Sequence, residues 1–415
     1  MIRRLLSALG LGRGPAAVLR RGFVDVMLAG AAGVPGRASQ HSLCWAGPSM
    51  PPGRRRNGGP VIVREQVPLA GCTTLGLGGP AARFAEAATE ADVVSAVRAA
   101  DQRGEPVLVL GSGSNLVIAD EGFDGTVVRV GTRGISEAPG GPEGLATVRV
   151  AAGEDWDGVV RWAIARGLSG LECLSGIPGL AGATPIQNVG AYGQEVSATI
   201  AAVRGWDRQA GEMAELTAAE CGFGYRTSVF KEGGQAGRFV VLEVVFQLAR
   251  DPRSAPVRYA ELARVLGAGE GDRVPLADAR EAVLRLRRGK GMVLDPADPD
   301  TRSAGSFFTN PVLAPSQFGL LESAVAAGTR IPRFPAPGGQ VKVPAAWLIE
   351  QAGFTKGYPG GPGPRISGKH TLALVNPGDA TADSLITLAR EIRDGVLATF
   401  GVELTAEPTL IGLKL

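Results

Sequence analysis

The sequence predicts a globular fold of mixed helices and strands spread over two or three domains, and three observations carry that expectation. At 415 residues the chain exceeds what a single hydrophobic core usually supports. Helical stripes and short β-type apolar runs are interspersed along it. Its 61 glycines are about twice the usual share of roughly 7%, so many tight turns and close backbone approaches are expected.

Composition narrows the function classes. Hydrophobic residues at 45% and charged residues at 20% are ordinary for a globular protein. The formal charge of +3 is too small for a nucleic-acid footprint, and an anionic small ligand fits better. Cys44, Cys72, Cys173 and Cys221 are far apart with no CxxC pair, so no metal site or disulfide framework is suggested and reduced thiols in the cytosol are the simplest reading. With only His41 and His370, acid–base work must fall to other side chains. No apolar run is long enough to span a membrane.

Residues 1–62 are set aside as a disordered or mis-started tail. The segment is arginine-rich, carries one acid at Asp25 and ends in the Pro/Gly/Arg stretch from Pro51 to Pro60. A targeting peptide is the alternative, but no convincing cleavage site follows the apolar piece from Phe23 to Val34.

The elements follow in order. From Thr89, a capping residue with Asp92 three positions on and a stripe of Val93, Val94 and Val97 predict an amphipathic helix stopped by Gly104. PVLVLG is expected as a buried strand ending at the turn-forming GSGSN, Gly111 to Asn115. Val127 to Val130 and Val148 to Ala151 read as β, and Trp156, Val159, Val160, Ala163 and Ile164 as one helical face. FVVLEVVFQL is a strand, and the polar DPRSAPVRY after it marks a boundary that divides residues 63–250 from 251–415. Beyond it come a helix from about Pro275 to Arg288, a short one near Trp347 and a long one after Thr381. The last carries Leu385, Leu388, Ala389, Ile392 and Val396 as its stripe and Gly401 as its stop, and ELTAEPTLIG reads as a closing strand.

Several stretches could carry chemistry. GSGSN, made up of Gly111, Ser112, Gly113, Ser114 and Asn115, could wrap a pyrophosphate through consecutive backbone N–H groups, or be a plain turn. It is not a GxGxxG fingerprint, because Leu116 stands at the third glycine. SGIPGLAGATPIQNVGAYG, Ser175 to Gly193, has too much Gly and Pro for a helix and too little charge for a linker. Gly179, Gly182, Gly190 and Gly193 with Gln187 and Asn188 offer close approach and amides for a polar ring, or an irregular loop packed on the core. In YRTSVFK, Arg226 is placed among apolar residues, where it needs a carboxylate unless it lies on the surface. Ser306 in GSFFTNP could donate a proton, or mark a turn whose phenylalanines are core. Glu407 is paired, held in a cleft or exposed at an edge, and the sequence by itself favours exposure.

Together and in this order, TTLGLGGPA (Thr73 to Ala81), GSGSN, SGIPGLAGATPIQNVGAYG, YRTSVFK, GSFFTNP, AAWLIEQAG and EPTLIG resemble the UDP-N-acetylenolpyruvoylglucosamine reductase (MurB) family, from about Val67 to the C-terminus. The resemblance implies an FAD-binding domain of the vanillyl-alcohol-oxidase (PCMH) type built of two α+β halves, 63–250, then a smaller α+β substrate domain, 251–415, whose last strand returns to the active site. It implies FAD and NADPH as cofactors and UDP-N-acetylglucosamine enolpyruvate as substrate, reduced to UDP-N-acetylmuramate for peptidoglycan. NADPH reduces the flavin and leaves before the substrate enters. The expected enzyme is cytoplasmic and monomeric, with no nucleic-acid or membrane partner and no metal.

The resemblance also assigns roles. Arg226 would hold the substrate carboxylate and the developing enolate, Ser306 would supply the proton, and Glu407 would complete the set. The GSGSN residues would contact the cofactor, as would Ile177, Pro178, Gly179, Gly182 and Ala183 and, further on, Gln187, Asn188, Gly190, Ala191 and Tyr192. Tyr259 in VRYAEL and Lys290 in RRGKG match positions that grip the nucleotide diphosphate, and Asn310 and Gln351 match neighbouring substrate contacts. Thr309 stands where many relatives carry lysine, and TKGYPGGPGPRISGKH holds a longer Gly/Pro insert than usual.

Overall fold

The computed structural model describes residues 61–231, 236–326 and 328–415. Except for Val61 and Ile62, the predicted tail lies outside the described residues, as do His41 and Cys44.

The first half is a mixed sheet. Strands β1 (Val63–Pro68), β2 (Pro80–Ala87), β3 (Val107–Leu110) and β5 (Phe123–Val130) lie in the order β1-β2-β5-β3, with β1 antiparallel to β2 and the β2–β5 and β3–β5 pairs parallel. Helix α1 (Glu90–Gln102) crosses between β2 and β3. Its capping box is as the sequence predicts: the Thr89 side chain accepts from the Asp92 N–H, and the Asp92 carboxylate accepts from the Thr89 N–H. One expectation is corrected here. β3 is an edge strand, and Val109 is 36% exposed, because the sheet ends there. An apolar run alone does not reveal which side of a sheet lacks a neighbour. Short strand β4 (Leu116–Ile118) follows the GSGSN loop.

The second half is an antiparallel sheet of β6 (Ile135–Glu137), β7 (Leu145–Ala151), β11 (Ile200–Asp207), β12 (Glu212–Thr217) and β13 (Phe239–Arg250), ordered β12-β11-β13-β7-β6. β8 (Leu168–Ser169) pairs with the end of β13, and β9 (Gly190–Ala191) with β10 (Gln194–Glu195). The alternating apolar face of β7 and the continuous apolar run of β13 meet helix α2 (Trp156–Ile164), whose predicted face is buried at Trp156, Val159, Val160 and Ala163 and half-buried at Ile164. Trp156 and Phe246, both fully buried, lie 6.0 Å apart at the centre of this core.

After β13 come α3 (Ala260–Leu266) and α4 (Leu276–Gly289). Val257, Leu262, Ala282 and Val283 share an apolar cluster with Cys173 and Tyr192, so this segment packs back onto the second half. The remaining chain makes a small sheet of β14 (Val312–Leu313), β15 (Phe334–Pro335) and β16 (Val341–Lys342), followed by the pair β17 (Arg365–Ile366) and β18 (Leu374–Val375). Packed with these are helices α5 (Pro315–Ala324), α6 (Ala345–Gln351) and α7 (Ala382–Phe400). All five residues of the predicted α7 stripe are buried, and Gly401 ends the helix at φ 67°.

The closing strand is shorter than the sequence suggests. β19 (Thr409–Ile411) pairs in parallel with β4, and Ala406 makes an isolated antiparallel bridge with Phe308. Pro408, which has no N–H to give a ladder, separates the two. Leu75, Leu77 and Val117 of the first half share a core with Phe307, Phe308 and the α7 stripe.

Candidate active site

The GSGSN loop leaves β3 and turns under Gly113, whose φ is 63°. A Cβ there would lie 2.2 Å from the Cys72 carbonyl oxygen, so the turn requires glycine. Ser114 Oγ donates to the Pro178 carbonyl at 3.0 Å, and Asn115 Nδ2 donates to Gln187 Oε1 at 2.5 Å, tying the two glycine-rich loops together. The Asn115 amide also reaches the Glu407 carbonyl at 3.4 Å, and its own carbonyl accepts from the Thr409 N–H at 3.0 Å. Ser112 Oγ is buried without a hydrogen-bond partner among the described residues. An orphaned hydroxyl beside the glycine turn at Gly113 fits a phosphate-bearing cofactor that would supply the acceptor.

In the second loop, Gly182 packs where a Cβ would lie 2.4 Å from that of Ala152, and Gly179 has φ 147°. Ile177, Pro178 and Gly179 are half-buried, whereas Ala183 is exposed. Ala191 pairs with Gln194 in the short β9–β10 hairpin. Asn188 does not offer a free amide. Its Nδ2 donates to Glu195 Oε2 and to the Gly224 carbonyl, both at 3.0 Å, and its Oδ1 accepts from the Ser197 N–H at 3.1 Å. At φ 45° and 1% exposure, it folds the loop. Gln187, bound through its oxygen by Asn115, keeps its NH2 donors.

Arg226 is the centre of the site. Its Nε lies 3.0 Å from Glu407 Oε1, its Nη2 donates to the Gly190 carbonyl at 2.7 Å, and its Nη1 reaches the Asn188 carbonyl at 3.4 Å. The contact with Glu407 is a close charge pair without hydrogen-bond alignment at Nε. Exposure of Glu407, which the sequence favours, is corrected: its side chain is 13% exposed. Burial pushes the Glu407 carboxyl above its ordinary range, and the charges of Arg226 and Lys231 offset this only in part.

The Glu407 N–H donates to the Phe307 carbonyl at 2.9 Å, which brings Ser306, the residue before, alongside the Glu407 segment. Ser306 is half-buried, and its hydroxyl makes no hydrogen bond with the described residues. The sequence reading does not single out Lys231 or Lys342. Lys231 Nζ lies 3.3 Å from the Glu407 carbonyl and 3.5 Å from that of Arg226, and its place at the end of YRTSVFK was the available signal. Lys342 Nζ is 4.7 Å from the centre of the Tyr225 ring, and nothing in QVKVP marks it.

A second cluster adjoins the first. Tyr192, expected among the cofactor contacts, meets Tyr259 edge-to-face at 5.4 Å, and Lys290 Nζ is 5.7 Å from the Tyr192 ring centre. Lys290 pairs with Glu261 at 2.6 Å. Gly190 and Tyr192 are two residues apart, so roughly 7 Å of chain links the two clusters. Asn310 donates its N–H to the Tyr225 hydroxyl at 3.3 Å, and its Oδ1 accepts from the Ala345 N–H at the start of α6. It helps line a cavity of about 350 Å³ with Tyr225, Arg226, Lys231 and Thr309. Gln351 is exposed at the far end of α6, without a hydrogen bond to the other candidates.

The family described as "UDP-N-acetylenolpyruvoylglucosamine reductase, C-terminal domain" matches residues 296–411, and "FAD binding domain" matches residues 81–217, which hold both glycine-rich loops. The chain is 56% identical over 355 residues to UDP-N-acetylenolpyruvoylglucosamine reductase of Thermobifida fusca, covering 85% of this chain and 98% of that protein. The Streptomyces coelicolor reductase is also 56% identical, covering 86% of this chain and 92% of its own length. Among solved structures, the Thermus caldophilus reductase superposes with a TM-score of 0.57 at 26% identity, covering 84% of this chain and all of its own.

Proposed function

The chain belongs to the UDP-N-acetylenolpyruvoylglucosamine reductase family, and from that premise we propose that it reduces UDP-N-acetylglucosamine enolpyruvate to UDP-N-acetylmuramate with NADPH as reductant. It is a flavoenzyme of peptidoglycan precursor synthesis. FAD, when bound, supplies a hydride from N5 for the methylene carbon of the enolpyruvyl group. The two glycine-rich loops would hold it, with Ser112, Ser114 and the Gly113 turn toward phosphate and Gln187 toward the ring.

The protein's part is to manage charge and one proton. Reduction of the alkene places negative charge on the adjacent carbon and its carboxylate, and Arg226 is positioned to meet it. Glu407 and the Gly190 carbonyl orient the guanidinium from two sides, and Lys231 adds positive charge behind Glu407. Ser306 Oγ–H, without a hydrogen bond among the described residues, gives its proton to the carbon next to the new methyl group. Tyr259 and Lys290 would grip the diphosphate. Among the described residues, no helix is long and apolar enough to cross a membrane. A monomer in the cytoplasm completes the reading.

The observation that carries it is the 3.0 Å Arg226–Glu407 pair, in which Arg226 also bonds to Gly190 of the second glycine-rich loop and the Glu407 N–H bonds to the Phe307 carbonyl next to Ser306. The protein should purify yellow, bleach with NADPH in the absence of oxygen and regain colour with the enolpyruvyl nucleotide sugar. A colourless protein, or equal reoxidation by simple enones, overturns the reading.

A further inference from the structure

Asn188 holds Arg226 at both ends. Its backbone carbonyl accepts from Arg226 Nη1 at 3.4 Å, and its Nδ2 donates at 3.0 Å to the carbonyl of Gly224, two residues before Arg226. Gly224 and Thr227 bridge one another, so Tyr225 and Arg226 form the tip of a tight turn in which Arg226 has φ 58°. A long side chain keeps that conformation only where its surroundings dictate it.

Glu195, in β10, fixes Asn188 in turn. Its Oε2 accepts from Asn188 Nδ2 at 3.0 Å, and the Ser197 N–H donates to Asn188 Oδ1 at 3.1 Å, so both ends of the amide are engaged and it has one orientation. The Glu195 carboxylate makes no other hydrogen bond and no ion pair among the described residues. Glu195 also pairs with Gly190 across the β9–β10 hairpin. A Cβ on Gly190 would lie 2.8 Å from Glu195 Cγ and 3.1 Å from Arg226 Nη1, so the glutamate stem and the guanidinium close on the same bare stretch of backbone. A guanidinium carries one N–H on Nε and two on each terminal nitrogen. Nε faces Glu407, and the Asn188 and Gly190 carbonyls each take an N–H from a different terminal nitrogen. One N–H on each is left for an incoming carboxylate, and its direction is set by two backbone carbonyls that Glu195 holds in place.

We propose that Glu195 is a positioning residue for reduction of the enolpyruvyl group: through Asn188 and Gly190 it aims the remaining N–H groups of Arg226 at the substrate carboxylate. This rests on the function and the role of Arg226 proposed above. Because Glu195 works through Arg226, it affects the step that Arg226 serves, and neither flavin binding nor the reaction with NADPH.

Rapid mixing of the FAD-loaded protein without oxygen tests it. In Glu195→Ala, reoxidation of the reduced flavin by saturating enolpyruvyl substrate should slow about tenfold or more, the scale of a small misplacement at a reacting group. Flavin reduction by NADPH and flavin content should stay within about twofold of wild type. Glu195→Gln, whose amide oxygen can still accept from Asn188, should recover most of the lost rate. In an Arg226→Ala background, Glu195→Ala should slow reoxidation by less than about a further twofold, because the group it positions is gone. If Glu195→Ala does not fold, Glu195→Asp, whose shorter stem draws the carboxylate away from Asn188, carries the test with the same pattern. Unchanged reoxidation, equal slowing of both half-reactions, loss of FAD, no recovery in Glu195→Gln, or full additivity with Arg226→Ala overturns the assignment alone. A wild-type protein that NADPH reduces but the enolpyruvyl compound does not reoxidise overturns the functional reading and this assignment with it.

Discussion

Arg226 has φ 58°, in the left-handed region where a long side chain is uncommon, and its guanidinium meets Glu407 and the Gly190 carbonyl. The sequence could say that this arginine needed a carboxylate, because it stood among apolar residues. It could not say which one, since Glu407 is supplied by the far end of the chain. The same limit explains Asn188: an amide in a glycine-rich loop looks available for a ligand until the fold brings Glu195, Ser197 and Gly224 around it. His370 gives a residue-scale prediction. Its pKa falls from 6.5 to about 4, so between those values the unfolded chain binds a proton that the native state refuses. Stability should therefore rise with pH across that window. In thermal melts, the wild-type midpoint should drop from pH 6.5 toward pH 4, and His370→Gln should drop less. Parallel curves would show that His370 is not held neutral by the fold.

At the scale of elements, α1 and α7 were legible because their signals are local: a capping Thr, a stripe at helical spacing and a stopping Gly lie within one stretch of chain. β3 was legible as a strand but not as an edge, because edge position depends on a neighbour that never forms. The GSGSN loop by itself read more readily as a plain turn than as a phosphate cradle, and the close approach of Gly113 to Cys72 shows that the turn needs glycine. Gly113→Ala would force a Cβ against a backbone oxygen in a conformation strained by about 1–3 kcal/mol. The expected outcome is a protein with native far-ultraviolet circular dichroism that purifies with markedly less FAD. Full flavin content in this variant would count against the loop as the phosphate cradle.

Across the whole molecule, the chain's last strand decides whether the site exists. β19 lies in parallel against β4, and Asn115 reaches the Glu407 carbonyl from 292 positions away. Non-local parallel pairing leaves no periodic trace in either segment, so the contact was expected only through resemblance. Lys342 was hidden because the Tyr225 ring it meets is distant in sequence, and Tyr192, Tyr259 and Lys290 were named one by one through the resemblance but not as a group. Removing residues 409–415 deletes β19, the Thr409 N–H bond to the Asn115 carbonyl and the Ile411 carbonyl that accepts from Ala119. The truncated chain should lose turnover together with FAD retention, as measured by flavin absorbance after gel filtration. Retention of both would show that the return strand is dispensable.

Reduction of the alkene needs a proton as well as a hydride, and Ser306, next in sequence to the Phe307 carbonyl that accepts from the Glu407 N–H, is the residue proposed to give it. Rapid mixing without oxygen separates the two half-reactions in Ser306→Ala. Flavin reduction by NADPH should stay within about twofold of wild type, while reoxidation by the enolpyruvyl substrate slows by about 10²-fold or more, the scale of a lost general acid. Equal slowing of both steps, or of neither, would contradict the account.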